Sequence, residues 1–229
     1  MDLRARKLPY PLPLPDGTRL LALVQTQKSE VVQFDRKNQR WLPLLEGIPA
    51  AAVAYSHDGN WLAYIHSPDQ TLWRCARPGC SNPTQLTFPP IRVNLPQWWR
   101  DGNRIACMTR TQVGLWQASL ISAQGGSLIS LLEGGAASAD PVWSPSGDRI
   151  AFGSAPNPDI GIEATIQLIE LQSKKIQVVP GSQGFNSPRW SPDGRFLAAV
   201  KWGTMELAFY DFATGAWRKI PGTRVGYLN

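Results

Sequence analysis

The sequence predicts an all-β protein, a β-propeller of about five four-stranded blades. Three observations carry that prediction: a glycine-centred turn recurs five times, an aromatic precedes it, and an aliphatic residue follows it. The turns are Pro15-Asp16-Gly17, His57-Asp58-Gly59, Arg100-Asp101-Gly102, Pro145-Ser146-Gly147 and Pro192-Asp193-Gly194, with successive glycines 42, 43, 45 and 47 residues apart. Four residues before the last four glycines stand Tyr55, Trp98, Trp143 and Trp190. Three residues after the glycines stand Leu20, Leu62, Ile105, Ile150 and Leu197, followed in four repeats by Ala63, Ala106, Ala151 and Ala198. Several short strands at one such period mark a propeller. A β-sandwich, the next best reading, does not call for identical turns at one spacing.

Each unit opens with a strand that ends in the aromatic. The turn follows, where glycine supplies positive φ and aspartate bonds its own backbone. The second strand is an almost continuous apolar run, as in Leu62-Ala63-Tyr64-Ile65 or Leu197-Ala198-Ala199-Val200, which suits burial on both faces. The small residue in it lets neighbouring blades approach. Third strands are expected at Val31 to Phe34, Thr71 to Arg74, Val113 to Trp116, Ile166 to Ile169 and Leu207 to Tyr210. Fourth strands are expected at Trp41 to Leu44, Thr84 to Thr87, Ser127 to Ser130, Ile176 to Val179 and Trp217 to Ile220. Pro43 is tolerated because an outer strand has a free side. No segment carries a capped helical period.

The units fall at about 15–47, 48–90, 91–135, 136–181 and 182–222, after an extended Pro-rich segment, 1–14, with a further strand beginning at 223–229. Residues 223–229 either pair beside Leu20 to Val24 and close a five-bladed ring, or begin another blade of a larger one. The missing aromatic after Trp190 favours an open arc of a larger propeller.

Composition removes much chemistry. Of 229 residues, 43% are hydrophobic and 17% charged, which excludes wholesale disorder. No apolar run approaches the roughly 18 residues of a membrane helix. Arg4, Arg6 and Lys7 are followed by alternating prolines and not by the apolar core of a signal peptide. The net charge of +6 is scattered, so no nucleic acid contact is expected. There are two histidines and three cysteines, with no Cys-x-x-Cys, His-x-x-x-His, Gly-x-Ser-x-Gly or phosphate-binding glycine loop. No metal, no cofactor and no catalytic residue is therefore expected.

Trp143-Ser144-Pro145-Ser146-Gly147-Asp148-Arg149-Ile150-Ala151-Phe152 and Trp190-Ser191-Pro192-Asp193-Gly194-Arg195 resemble the TolB-type, WD-like propeller repeat, Trp-Ser-Pro-Asp-Gly. Tyr55-Ser56-His57-Asp58-Gly59 and Trp98-Trp99-Arg100-Asp101-Gly102 depart from it without losing the turn. Gly59 to Tyr64, Thr71 to Arg74, Gln85 to Pro90 and Tyr210 to Thr214 resemble the C-terminal sensor propellers of bacterial winged-helix transcriptional regulators, with relatives attached to Ser/Thr kinases. That resemblance implies a non-enzymatic sensor or interaction module for a protein or small ligand. Two alternatives stay open: the propeller of a prolyl-oligopeptidase-type peptidase, and a periplasmic scaffold like TolB. The sequence assigns no compartment, although the resemblance allows the periplasm.

The repeat position of Trp98, Trp143 and Trp190 reads as core packing, and Trp73 and Trp116 as structural. Trp202, outside the pattern, is a candidate ligand contact. His57 reads as a surface turn residue. His66 and Asp69 share a connection, but a catalytic triad needs a nucleophile placed by the fold. The repeated turn aspartates read as turn chemistry and not as metal ligands. Cys75 and Cys80 flank a hairpin and either bridge or stay reduced; Cys107 reads as a buried thiol. Binding residues concentrate in loops on a rigid scaffold. The candidates are Arg92, Arg110, Asp159, Glu163, Phe185, Lys201, Trp202 and Arg224, on connections at one end of the central channel.

Overall fold

A computed structural model describes residues 12–13, 15, 18, 20–21, 29–45, 47–111, 113–154 and 163–225. They form a β-propeller of consecutive antiparallel sheets. The first repeat contributes two two-stranded sheets, β1 (Leu12–Pro13) with β2 (Leu20–Leu21), and β3 (Val32–Asp35) with β4 (Arg40–Pro43). Four four-stranded blades follow. The second blade is β5 (Ala50–Tyr55), β6 (Trp61–His66), β7 (Thr71–Ala76) and β8 (Ser81–Gln85). The third is β9 (Arg92–Trp98), β10 (Arg104–Arg110), β11 (Gln117–Ser122) and β12 (Ile129–Ser130). The fourth is β13 (Ser138–Trp143), β14 (Arg149–Ser154), β15 (Ile166–Glu170) and β16 (Ile176–Val178). The fifth is β17 (Phe185–Trp190), β18 (Phe196–Lys201), β19 (Leu207–Asp211) and β20 (Ala216–Lys219).

The core consists of layers between blades, which explains the continuous apolar runs. In β6, Leu62 and Tyr64 pack with Leu45 of the first repeat, whereas Ala63 and Ile65 pack with Val93, Ile105 and Ile121 of the third blade. Ala106 and Leu120 meet Trp143, Ile150 and Phe152; Ala151 and Ile166 meet Phe185, Leu197 and Tyr210. The repeated alanine therefore faces the following blade. Each buried Ile or Leu in these layers contributes about 1.5–3 kcal/mol.

Two sets of hydrogen bonds stitch the blades. The indole N–H of Trp98 donates to the Ala54 carbonyl at 3.0 Å, and that of Trp143 to the Gln97 carbonyl at 3.2 Å. A hydroxyl on each outer-to-inner crossover, or on the first residue of the inner strand it leads into, accepts from a third strand: Leu72 N–H to Thr87 Oγ1 at 2.8 Å, Ala118 to Ser138 Oγ at 2.8 Å, Ile166 to Ser182 Oγ at 3.1 Å. Leu207 N–H to Thr223 Oγ1, at 3.3 Å, repeats the arrangement.

Two expectations are corrected. The Pro-rich segment supplies a strand: Leu12 lies opposite Leu21 and Pro13 opposite Leu20. Among the described residues the inner side of β2 is thus filled by Leu12–Pro13; of the alternative partner, residues 223–229, the last four lie outside the described residues. An inner edge tolerates proline because its free side needs no donor. In the third blade, Val113 to Trp116 is a connection and not a strand. The third strand is Gln117–Ser122, fixed by Thr109 opposite Gln117 and Arg104 opposite Ser122. The N–H of Gly114 turns back onto the Thr111 carbonyl, which leaves Val113 and Leu115 outside.

Trp143 is buried, and Trp98 and Trp190 pack against the layers. His57 is exposed, and Cys107 is a buried free thiol that burial pushes up to a pKa of about 12. Cys75 and Cys80 form a disulfide, with their Cα atoms 4.9 Å apart across the hairpin.

Candidate functional site

The connections between second and third strands and the crossovers between blades meet at one end of the propeller. Backbone hydrogen bonds tie them: Val93 N–H to the Gln70 carbonyl at 2.7 Å, Ser138 to Trp116 at 2.9 Å, Gly184 to Ala164 at 2.7 Å, and Val225 to Met205 at 3.0 Å. This end carries all the described candidate residues except the interior Phe185. Asp159 lies outside the described residues.

Arg92 opens β9 and Arg110 closes β10, and the two stand directly opposite each other. Their side chains therefore leave the same face of the sheet. The Arg110 guanidinium lies 4.5 Å above the Trp116 ring, and its Nε is buried without a hydrogen-bond partner. Beside it, Ile91, Thr109, Leu115 and Leu128 line a cleft of about 120 Å³.

A second group forms on the fifth blade. Lys201 stands opposite Phe185, its Nζ lying 5.0 Å above that ring and donating to the Gln183 carbonyl at 2.6 Å. Phe185 is a correction: it begins a strand, is only 6% exposed and stacks on Trp217 at 4.3 Å. It shapes the site from beneath and is not a loop contact. Trp202, next to Lys201, is 71% exposed. Glu163 and Arg224 are exposed at the same end and share no hydrogen bond or ion pair with either group.

On the second blade, His66 Nδ1 lies 2.9 Å from Asp69 Oδ1, which also accepts the Thr71 hydroxyl at 3.0 Å. Thr71 Oγ1 in turn accepts the Trp73 indole N–H at 2.9 Å. Burial pushes the Asp69 carboxyl up, but the hydrogen bonds from His66 and Thr71 outweigh it and hold the acid below its ordinary range. Among the described residues no hydroxyl or thiol is hydrogen-bonded to His66. No group of three His, Cys, Asp or Glu residues that could hold a metal occurs among the described residues.

Sequence reasoning did not bring Trp116, Leu115 and Val113 to this end, because it placed them in a strand. The only available signal was Gly114 in the middle of that run.

The comparisons agree on fold. No family model matches the chain. An uncharacterised protein of Agrobacterium fabrum is 26% identical over 196 residues, which is 78% of this chain and 66% of that protein. A solved TolB-type structure from Agrobacterium tumefaciens superimposes with a TM-score of 0.69 at 17% identity, covering 87% of this chain and 72% of that one. TolB from Acinetobacter baumannii gives 0.65 at 16% identity, covering 81% of this chain but 47% of its own. A puromycin-hydrolysing peptidase of Mycobacterium tuberculosis gives 0.65 at 14% identity, over 96% of this chain and 38% of that one. These likenesses make the chain a β-propeller of the shape shared by TolB proteins and by the propeller parts of certain enzymes.

Proposed function

We propose that the chain is a non-enzymatic binding propeller that engages a protein partner or small ligand through this end, as the sensing or docking unit of a bacterial signalling or regulatory protein. One observation carries the reading. Phe88, Val113, Leu115 and Trp202 are 61%, 99%, 65% and 71% exposed, and all lie on connections at the same end. Arg92, Arg110, Lys201 and Arg224 are interspersed among them. Exposed apolar residues mixed with arginine and aromatics are the composition of a recognition surface.

The test is photo-crosslinking in cells from residues 115 and 202, compared with residues 176 and 178 on the perimeter strand β16. Adducts from the first pair alone are expected. Adducts from the perimeter alone, or equally from both, would overturn the reading. The peptidase-associated alternative draws on the likeness to the puromycin-hydrolysing enzyme. Hydrolysis of puromycin or short peptides by the purified chain would favour it.

A further inference from the structure

We propose that Arg92 and Arg110 form a site for a carboxylate that carries an apolar group, with Trp116 as its platform. The inference rests on reading this end as the binding face and names the chemistry one part of it takes. Like charges directly opposite on a sheet are destabilising. Here two guanidinium groups occupy such a pair. Four other arginines meet carboxylates, Arg104 with Asp101, Arg149 with Asp148, Arg189 with Asp140 and Arg195 with Asp211. Among the described residues, neither Arg92 nor Arg110 has an acidic partner. The register thus sets two positive side chains on one face of the sheet, with no acidic partner from the described residues.

The surroundings point to the ligand. Arginine's planar fork matches a carboxylate with two parallel hydrogen bonds. The Arg110 guanidinium lies 4.5 Å over the Trp116 indole, and the Trp116 carbonyl is itself fixed by Ser138 N–H at 2.9 Å. A held guanidinium loses less freedom when it binds. The cleft beside Arg110 is walled by Ile91, Leu115 and Leu128. Those walls suit an aliphatic group attached near the acid. Inorganic phosphate would use the arginines and leave the apolar walls wet. The C-terminal residue of a peptide and a free apolar carboxylic acid share the required chemistry.

The full chain is titrated with N-acetyl-leucine, with an acetylated tripeptide ending in leucine, with the same tripeptide amidated, and with inorganic phosphate. Tryptophan fluorescence and calorimetry give the affinities. Saturable binding of the two carboxylates is expected, with the amide and phosphate at least about tenfold weaker, as loss of a charged hydrogen bond implies. Tighter binding of the tripeptide assigns the site to a chain terminus, and tighter binding of N-acetyl-leucine assigns it to a free acid. Arg110→Gln and Arg92→Gln should each abolish most of the binding. Both variants should stay folded by circular dichroism, and Arg92→Gln should leave the melting temperature equal or higher, because a like-charge pair is relieved without loss of the Arg110–Trp116 contact. Equal binding of the amide, preference for phosphate, absence of saturation, or unaltered affinity in both variants overturns the proposal. The crosslinking from residues 115 and 202 is independent of these titrations, so a failed carboxylate site and a failed binding face are told apart.

Discussion

Trp99 covers Gly147. The indole from the turn before β10 reaches the turn glycine of the next blade, so closely that a Cβ on Gly147 would lie 1.8 Å from the ring. Gly147 also has a φ of +74°. Trp99 occupies the place of Ser56, Ser144 and Ser191 in the other turns, so the departure from the repeat is a contact between blades. Gly59 has a similar φ, +71°, but open space around it. Gly59→Ala should cost about 1–2 kcal/mol, the left-handed penalty alone. Gly147→Ala should cost about 2–5 kcal/mol, since overpacking adds to it. Urea unfolding measures both, and in a Trp99→Ala background the further cost of Gly147→Ala should fall to that of Gly59→Ala. Equal costs at the two glycines would refute the contact.

Asp140 joins the inner strands of two blades. It accepts the Ser187 hydroxyl at 2.7 Å and Arg189 Nη1 at 2.9 Å, and it is buried. Asp140→Ala should cost about 3–5 kcal/mol, because removing one partner strands the other's charge. Lys219→Ala, which breaks the exposed pair with Glu206, should cost under about 1 kcal/mol. Chemical denaturation ranks them, and similar losses would deny Asp140 its structural role.

Acid stability follows from the turns. The side chains of Ser56, Ser146 and Ser191 hold Asp58, Asp148 and Asp193, respectively, below the ordinary carboxylate range. A depressed acid stabilises the fold above its unfolded pKa of about 3.9, and that contribution is lost as pH falls through the lower folded value. The melting temperature should therefore drop below about pH 4, more in the parent than in the combined Ser56→Ala, Ser146→Ala, Ser191→Ala variant. An identical acid limb in both proteins would contradict the assignment.

The cysteines differ in what they expose. In denaturant without reductant, alkylation should label one thiol, and after reduction all three. Under native conditions at pH 9, Cys107 should stay unlabelled, because burial pushes its pKa up to about 12. Reduction should destabilise the fold by about 2 kcal/mol, the loop-entropy value for so short a ring. Three accessible thiols without reductant would exclude the bridge.

The blade framework was legible because its signals are local. Glycine and aspartate fix a turn within a few residues, and the alternation of Leu62 with Ala63 already encodes two packing layers. The hydroxyls of Thr87, Ser138 and Ser182 that bond between blades were not legible. Their partners lie 15 to 20 residues away, and Ser or Thr is common in any loop. Val113 to Trp116 looked like a strand because three of four residues are apolar. The equally apolar Ala118 to Ile121 took the buried position instead. Phe185 was placed among the connections, yet the strand begins at that residue. The opposition of Arg92 and Arg110 depends on register, which composition does not reveal.

Fluorine NMR of the chain carrying 5-fluorotryptophan tests the central claim most directly. The ten tryptophans sample the end, the interior and the perimeter of one molecule. With the partner captured by crosslinking added, the Trp116 and Trp202 resonances should shift or broaden, while Trp41, Trp143 and Trp217 stay in place. Movement confined to Trp41 or Trp217, with Trp116 and Trp202 unchanged, would contradict a binding face at this end of the propeller.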